Sequence, residues 1–250
     1  MADRARSGGL RRSFDVYYRD SARTERMDRL NAGFVRRGAL VFDIGAHVGD
    51  RTGSFLRLGA TVVALEPQAR PYRALRLLYG RCSRATLLPV AAGAAAGEAE
   101  LLLNPANPTV ATVAPEFVAA ATGAPGWEGE VWADRVTVPV TTLDALIAQH
   151  GTPDFVKIDV EGHEAEVLEG VSVPLPALSF EVTTIQRAAG LAAIARLAAL
   201  GRYEFNLSLG EDHALRFPSW LDPEAMRREI ETLPQAANSG DVFARRVPGR

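Results

Sequence analysis

Thiol chemistry has almost no place in this chain, where Cys82 is the single cysteine among 250 residues. One thiol can build neither a disulfide framework nor a cysteine-cluster metal site, and its solitary use fits a reducing, cytoplasmic setting. Charge of one sign is lacking as well. With 28 Lys and Arg against 30 Asp and Glu, the formal net charge is −2, so no whole-molecule field steers the protein toward nucleic acid or an anionic membrane. No apolar run reaches the roughly 18 residues that a membrane span requires. No signal-peptide hydrophobic region follows Met1, and no internal repeat is visible. Neither nucleic acid nor a membrane is therefore expected as a partner, and nothing bears against a homo-oligomer.

What is present is a chain of ordinary length for one α/β domain, with 47% hydrophobic residues to fill a core. Residues 23–250 are expected to form that single domain. The leading stretch, 1–22, carries Arg4, Arg6, Arg11 and Arg12 and reads as a flexible, solvated start; a nucleic-acid arm is the sharper alternative. Met27, Leu30 and Phe34 then make an apolar stripe at helical spacing. From residue 40 onward, strand and helix patterns alternate. "TVVALEP" is a strand, "PYRALRLLYG" a helix stopped by Gly80, "ATLLPV" a strand, and "GEAELLL" either a further segment of the sheet or a hairpin. "TVPVTTLDALIAQHG" reads as a strand, a threonine cap and a helix closed by Gly151. "DFVKIDVEG" and "EAEVLEG", then "ALSFEV" and "LAAIARLAALG", repeat the pairing, and "YEFNLSL" and "DVFARRV" complete the set. Such alternation specifies βαβ units and a mostly parallel sheet. Residues 104–135 depart from it. This Pro-, Gly- and Ala-rich stretch holds Trp127 and Trp132 and reads as a lid-like insertion, with an indole face stacked on a sugar or another flat apolar surface, or packed in a core or a dimer contact.

The most informative segment is "LVFDIGAHVGDRTGSF", residues 40–55. A buried strand ends on Asp43 and breaks on a turn containing Gly45 and Gly49 before a helix starts. Glycines let main-chain N–H groups approach a ligand, and the helix N-terminus adds positive partial charge. In open parallel sheets ligands bind beyond the carboxyl ends of the strands, and three strands here end on carboxylates: Asp43, Glu66 and Asp159. Glu66 follows Asp43 by 23 positions, near the spacing at which an acid on the second strand meets a ribose diol. A 2′-phosphate would be repelled there. The turn reads D-x-G-x-x-x-G rather than G-x-G-x-x-G, which speaks against a nicotinamide dinucleotide and leaves S-adenosylmethionine, which has a ribose and an ammonium but no phosphate.

In order along the chain, "VFDIGAHVGDRT", "VVALEPQ", "VTTLDALI", "FVKIDVEGHEAEVLEG" and "LSFEV" resemble the FkbM-type methyltransferases, over roughly residues 35–185. The resemblance implies a class I, Rossmann-like α/β fold with a seven-stranded, mostly parallel sheet and helices on both faces. It also implies S-adenosylmethionine as cofactor and a hydroxyl of a sugar, glycan or small natural product as acceptor. The cofactor site it implies comprises Asp43, Gly45, Ala46, Gly49 and Glu66, and His47, Pro67 and Ala91 complete the candidate cofactor-binding residues. Where many class I enzymes have a polar residue for adenine, "PVAAGAAAG" offers only Ala91 and Ala92, so backbone and apolar packing are expected instead. A nicotinamide oxidoreductase and a non-catalytic S-adenosylmethionine-binding module are the alternatives.

Methyl transfer from a sulfonium is an in-line displacement, and an alcohol acceptor needs a base or a metal ion to lose its proton. "KIDVEGHE" concentrates Lys157, Asp159, Glu161 and His163 in one strand-to-helix turn, and Glu181 ends the next strand. These five are the candidate catalytic residues. Strand alternation puts Lys157 and Asp159 on one face. Two routes stay open: His163 as free base, its ordinary pKa near the working pH, or Asp159 helping to hold magnesium or manganese.

Overall fold

Strand β1 (Leu40–Ile44) is buried on both faces, and its alternation sets the two-sided core of the fold. The computed structural model describes residues 2–248. Val41 faces one way, with Val62 and Ala64 of β2 (Thr61–Leu65) and Phe155 of β7 (Phe155–Ile158). Against this face pack Phe55 of α3 (Asp50–Arg57), Leu75 of α4 (Ala69–Tyr79) and Leu30 of α2 (Ser21–Asn31). Phe42 and Ile44 face the other way with Val63, Leu65, Val156 and Ile158. That second face is covered by α6 (Leu143–His150), α7 (Glu164–Glu169), α8 (Arg187–Leu200) and α9 (Pro223–Thr232), whose Leu143, Val167, Ile194 and Ile230 are buried. Strands apolar on both sides are what a parallel sheet covered by helices on both faces requires.

The seven-stranded sheet runs β3-β2-β1-β7-β8-β10-β9, with β3 at Ala85–Leu88, β8 at Ala177–Thr183, β9 at Tyr203–Leu209 and β10 at Ser239–Arg246. The pairs from β3 through β8 are all parallel, and β10 runs antiparallel to both its neighbours. The order reverses at β1, and the crevice beyond the carboxyl ends of β1 and β7 is the position at which such sheets bind ligands. The α/β, class I methyltransferase-like architecture expected from the sequence is therefore present.

The segment "GEAELLL" does not join this sheet. It forms β5 (Gly97–Leu103), which pairs antiparallel with β6 (Asp134–Thr141), while β4 (Ala91–Ala92) pairs parallel with β6, giving a separate three-stranded sheet. Between β5 and β6 the insertion builds a core of its own. It contains α5 (Pro115–Ala121), with Val110, Ala114, Phe117 and Trp127 buried together. Phe117 meets Trp127 and Trp132 edge-on, at 5.3 and 6.2 Å between centroids. Trp127 Nε1 donates to Asn238 Oδ1 at 3.2 Å, and Trp132 Nε1 donates to the Val110 carbonyl at 2.7 Å. Both indoles are thus engaged in packing.

The leading residues are helical rather than loose. Helix α1 spans Ala2–Tyr18, and α2 follows from an Asp20 cap whose side chain accepts from Arg23 N. Tyr18 donates to the Val48 carbonyl at 2.8 Å, and Ser13 Oγ pairs with His47 Nε2 at 2.8 Å, so α1 is tied to the glycine turn. Arg11 and Arg12 are exposed; the side chains of Arg4 and Arg6, on which the arm reading partly rested, lie outside the described residues, as do Met1, Gly249 and Arg250. No described helix is long and apolar enough to cross a membrane.

Because Trp127 fills the centre of the insertion's core, Trp127→Ala should destabilise the protein by about 3–5 kcal/mol, the usual cost of emptying a large aromatic site. Chemical denaturation checks this, and an unchanged midpoint would contradict the packing.

Candidate active site

The turn after β1 is shaped by one close approach. Gly45 has φ +85°, and a Cβ there would collide with the Asp159 carbonyl oxygen. Its N–H and that of Ala46 both donate to the Leu65 carbonyl, at 3.0 and 2.8 Å, so the turn is fastened to the end of β2. Gly49, φ +86°, opens α3 under Leu75 and Tyr79. Asp43 is fully buried beneath the turn, where its carboxylate accepts from Thr52 Oγ1. Burial pushes Asp43 up to about 6. Asp43 is not among the residues lining the cleft above; it supports the turn from below.

Glu66 lines that cleft and is held from two sides. Its Oε2 accepts from His47 N at 2.9 Å and its Oε1 from Gln68 N at 2.7 Å. Each carboxylate oxygen can accept twice, so the group, fixed by the backbone and by the Gln68 side chain, keeps acceptor capacity. Burial outweighs those bonds and raises Glu66 to about 7. Ala46, His47, Pro67 and Ala91 line the same cleft, with Val90 and Leu101 as its apolar wall. Burial lowers His47 to about 4, which keeps the imidazole neutral. The cavity is about 360 Å³, within the range of small-molecule sites.

Across the cleft the charges form a chain. Lys157, only 3% exposed, places Nζ 2.6 Å from Asp241 Oδ1 and 3.2 Å from Asp159 Oδ2. Burial alone would lower its pKa, but Asp159 and Asp241 hold it above the ordinary value. Asp241 is in turn held low, against its burial, by Lys157 and Arg51. Arg51 reaches Asp241 at 3.8 Å, Asp50 at 3.1 Å and Glu211 at 3.6 Å. Arg23, on α2, closes the circuit onto Asp50 at 2.9 Å and onto Glu211, beneath the ring of Tyr17. Asp241, Arg51, Glu211, Arg23 and Tyr17 were not among the expected site residues. Asp241 was visible only as one acid in the strand "DVFARRV".

Three carboxylates stand beyond Lys157. Asp159, Glu161 and Glu181 each bring an oxygen within 4.8 Å of the other two, and all three line the cleft. Glu161 sits at φ +56° on the turn, its carbonyl accepting from Thr112 Oγ1 at 2.7 Å. Burial raises Glu161 well above the carboxylate range, and Asp159 and Glu164 add to it. Glu181 is raised likewise by burial, then by Glu161 and Asp159. Glu164 shapes the turn, accepting from Val160 N and Gly162 N, both at 3.2 Å. His163 is not brought to this group. It begins α7 with Nδ1 3.6 Å from Glu166 and Nε2 against Gly93, outside the cleft lining. Burial lowers its pKa.

A family model for the methyltransferase FkbM domain matches residues 43–201. No curated protein matches the sequence. Similar solved structures include precorrin-6y C5,15-methyltransferase from Geobacter metallireducens, 14% identical over 89% of this chain and 86% of that one, with a TM-score of 0.46. A TehB-like SAM-dependent methyltransferase from Corynebacterium glutamicum is 10% identical over 94% of each chain, with a TM-score of 0.47. An O-methyltransferase from Bacillus cereus in complex with SAH is 10% identical over 98% of this chain and 90% of that one, with a TM-score of 0.46.

The raised carboxylates set a pH dependence. Glu66 moves from an ordinary 4.5 to about 7 on folding, so between those values the folded chain holds a proton that the unfolded chain has released. Stability from this group is present below about 4.5 and is lost as pH rises toward 7. Buried neutral His47 acts in the opposite sense below its ordinary 6.5, so the test is comparative. Denaturation of the ligand-free protein from pH 5 to 8 should show wild type losing stability relative to Glu66→Gln as pH rises. Parallel pH curves would refute the assignment.

Proposed function

The chain belongs to the FkbM methyltransferase family, and from that premise we propose that it methylates a hydroxyl group on a sugar or small natural product, using S-adenosylmethionine. Family membership favours this over the nicotinamide reading. The observation that carries the cofactor assignment is Glu66: a cleft-lining carboxylate oriented by two backbone N–H groups, with acceptor capacity remaining, suits a ribose diol. Pro67, Ala91, Val90 and Leu101 supply a flat apolar wall suited to adenine. When bound, the cofactor's sulfonium supplies an activated methyl group for in-line displacement.

The chain's own residues would then place and deprotonate the acceptor. Asp159, beside the Lys157 ammonium at 3.2 Å, anchors the acidic end of the cleft, and Glu161 and Glu181 bring two further carboxylates to it. Burial and neighbouring acids raise the proton affinity of both above that of an ordinary carboxylate, the direction that favours a proton acceptor. Thr112 and Val113 of the insertion stand on the same side of the cleft and bound the acceptor space. His163, turned to Gly93 and Glu166, has no part in this reading.

Calorimetry with S-adenosylhomocysteine should show one binding event per chain, and NAD should show none. Glu66→Ala should weaken it by about 1.5–3 kcal/mol, the range for hydrogen bonds to a charged group. Release of S-adenosylhomocysteine across a panel of hydroxyl and amine acceptors tests the second half. Turnover confined to amines would overturn hydroxyl methylation, and binding without turnover on any acceptor would favour the non-catalytic module.

A further inference from the structure

We infer that Arg51 binds the carboxylate at the amino-acid end of S-adenosylmethionine, while the neighbouring Asp241 and Glu211 receive its ammonium. The inference rests on the cofactor assignment above and adds an orientation to it. The zwitterionic end of that cofactor must be seated somewhere in the cleft, and the glycine turn is poorly supplied for it. Asp43 lies beneath the turn, engaged with Thr52 Oγ1. The backbone donors of the turn are largely spent: Gly45 and Ala46 N–H on the Leu65 carbonyl, His47 N–H on Glu66, and Gly49 N–H on the Ala46 carbonyl at 2.7 Å. A ligand carboxylate finds few free amides there and needs a side chain.

Arg51 is the cation that lines the cleft, and its guanidinium is only partly engaged. Nη1 donates to Asp50 Oδ2 at 3.1 Å and to Met27 Sδ at 3.0 Å. Nη2 makes no hydrogen bond among the described residues, because Glu211 and Asp241 stand 3.6 and 3.8 Å from it, beyond hydrogen-bonding reach. The side chain stays 14% exposed in the cleft it lines. A guanidinium presents N–H groups along a planar edge, a shape that a carboxylate matches.

Charge selects a zwitterion over a simple anion. Arg51, Arg23 and Lys157 are interleaved here with Asp50, Glu211, Asp241 and Asp159, so the acids exceed the cations by one. A lone anion is repelled by that surplus, whereas an ammonium beside a carboxylate meets a partner for each. The sulfonium makes the whole cofactor a net cation, which suits the same surplus. The sheet order supplies the direction. Val90 and Ala91 follow β3, on one side of Glu66 at the end of β2, while Asp241 on β10 and its partner Arg51 stand on the other. Adenosine with its ring on the apolar wall and its ribose on Glu66 therefore extends its chain toward Arg51.

Calorimetry on the full-length protein with three probes tests this. They are S-adenosylhomocysteine, 5′-(3-aminopropylthio)-5′-deoxyadenosine, which lacks only the carboxylate, and 5′-methylthioadenosine, which lacks the whole amino-acid end. Wild type should bind the first at least tenfold more tightly than the second. Arg51→Gln should weaken S-adenosylhomocysteine at least tenfold, yet bind the aminopropyl compound as well as wild type or better, since it leaves the acids with one cation fewer. Its affinity for methylthioadenosine, within about threefold of wild type, reports an intact adenine and ribose site. Should Arg51→Gln fail to fold, the wild-type comparison needs no variant, and Arg51→Lys, which keeps the charge but not the planar fork, should narrow the same gap. Equal wild-type affinity for the first two probes, or an equal loss of all three in Arg51→Gln, overturns the inference and leaves the cofactor assignment standing. If wild type binds none of the three, the cofactor assignment itself falls, and the role of Arg51 with it.

Discussion

The ammonium of Lys157 is buried between Asp241 and Asp159, and the carboxyl end of the sheet is organised around keeping it paired. An isolated charge at that depth costs several kcal/mol. Its partner Asp241 lies not on the adjacent strand but one strand further, on β10. The intervening position on β8 is Ser179, register partner of Lys157 and fully buried, and its small side chain leaves the lysine room to reach across. Arg51 then ties Asp241 to Asp50 and Glu211, and Arg23 carries the circuit to α2. A single buried charge thus connects β7, β10, α3 and the leading helices around one cleft.

The same circuit separates two kinds of carboxylate. Asp241 and Glu211, facing cations, are held below their ordinary values despite burial. Glu161 and Glu181 are pushed above theirs by burial first and by neighbouring acids second. The cations run out before the acids do, and the surplus negative charge collects at the point where β7 and β8 end. Environment rather than residue type makes this division. Glu66 is likewise raised first by burial, but its next causes are backbone hydrogen bonds that lower it, not neighbouring acids that raise it.

Much of this was legible in the sequence where the determinants are local. The β1 turn, the Glu66 strand end, the Thr142 cap at the start of α6 and the pairing of Lys157 with Asp159 follow from short-range pattern. Asp241 and Arg51 were not legible as partners because 190 residues separate them and only the strand order brings them together. Gly162, at φ +90°, turns the chain so that His163 leaves the face occupied by Asp159, a rotation that spacing alone does not reveal. In the leading segment, Leu10, Ser13, Phe14 and Tyr17 follow a helical spacing that the surrounding arginines disguised. The insertion's Pro, Gly and Ala content likewise concealed a core in which Phe117 and Trp127 meet.

Strand β10 runs against its neighbours, so its first residues, not its last, lie where the parallel strands end. That reversal is what delivers Asn238, Ser239 and Asp241 to the cleft. A chain emerging from the ribosome therefore holds its glycine turn, Glu66 and the Lys157 strand long before Asp241, the second counter-charge for that lysine, exists. Until residues 239–246 have been made and have inserted between β8 and β9, the ammonium has only Asp159 beside it and the cleft lacks a wall. Vectorial synthesis leaves the ligand site to the last strand, so a bound cofactor can stabilise the finished protein but cannot assist the growing one.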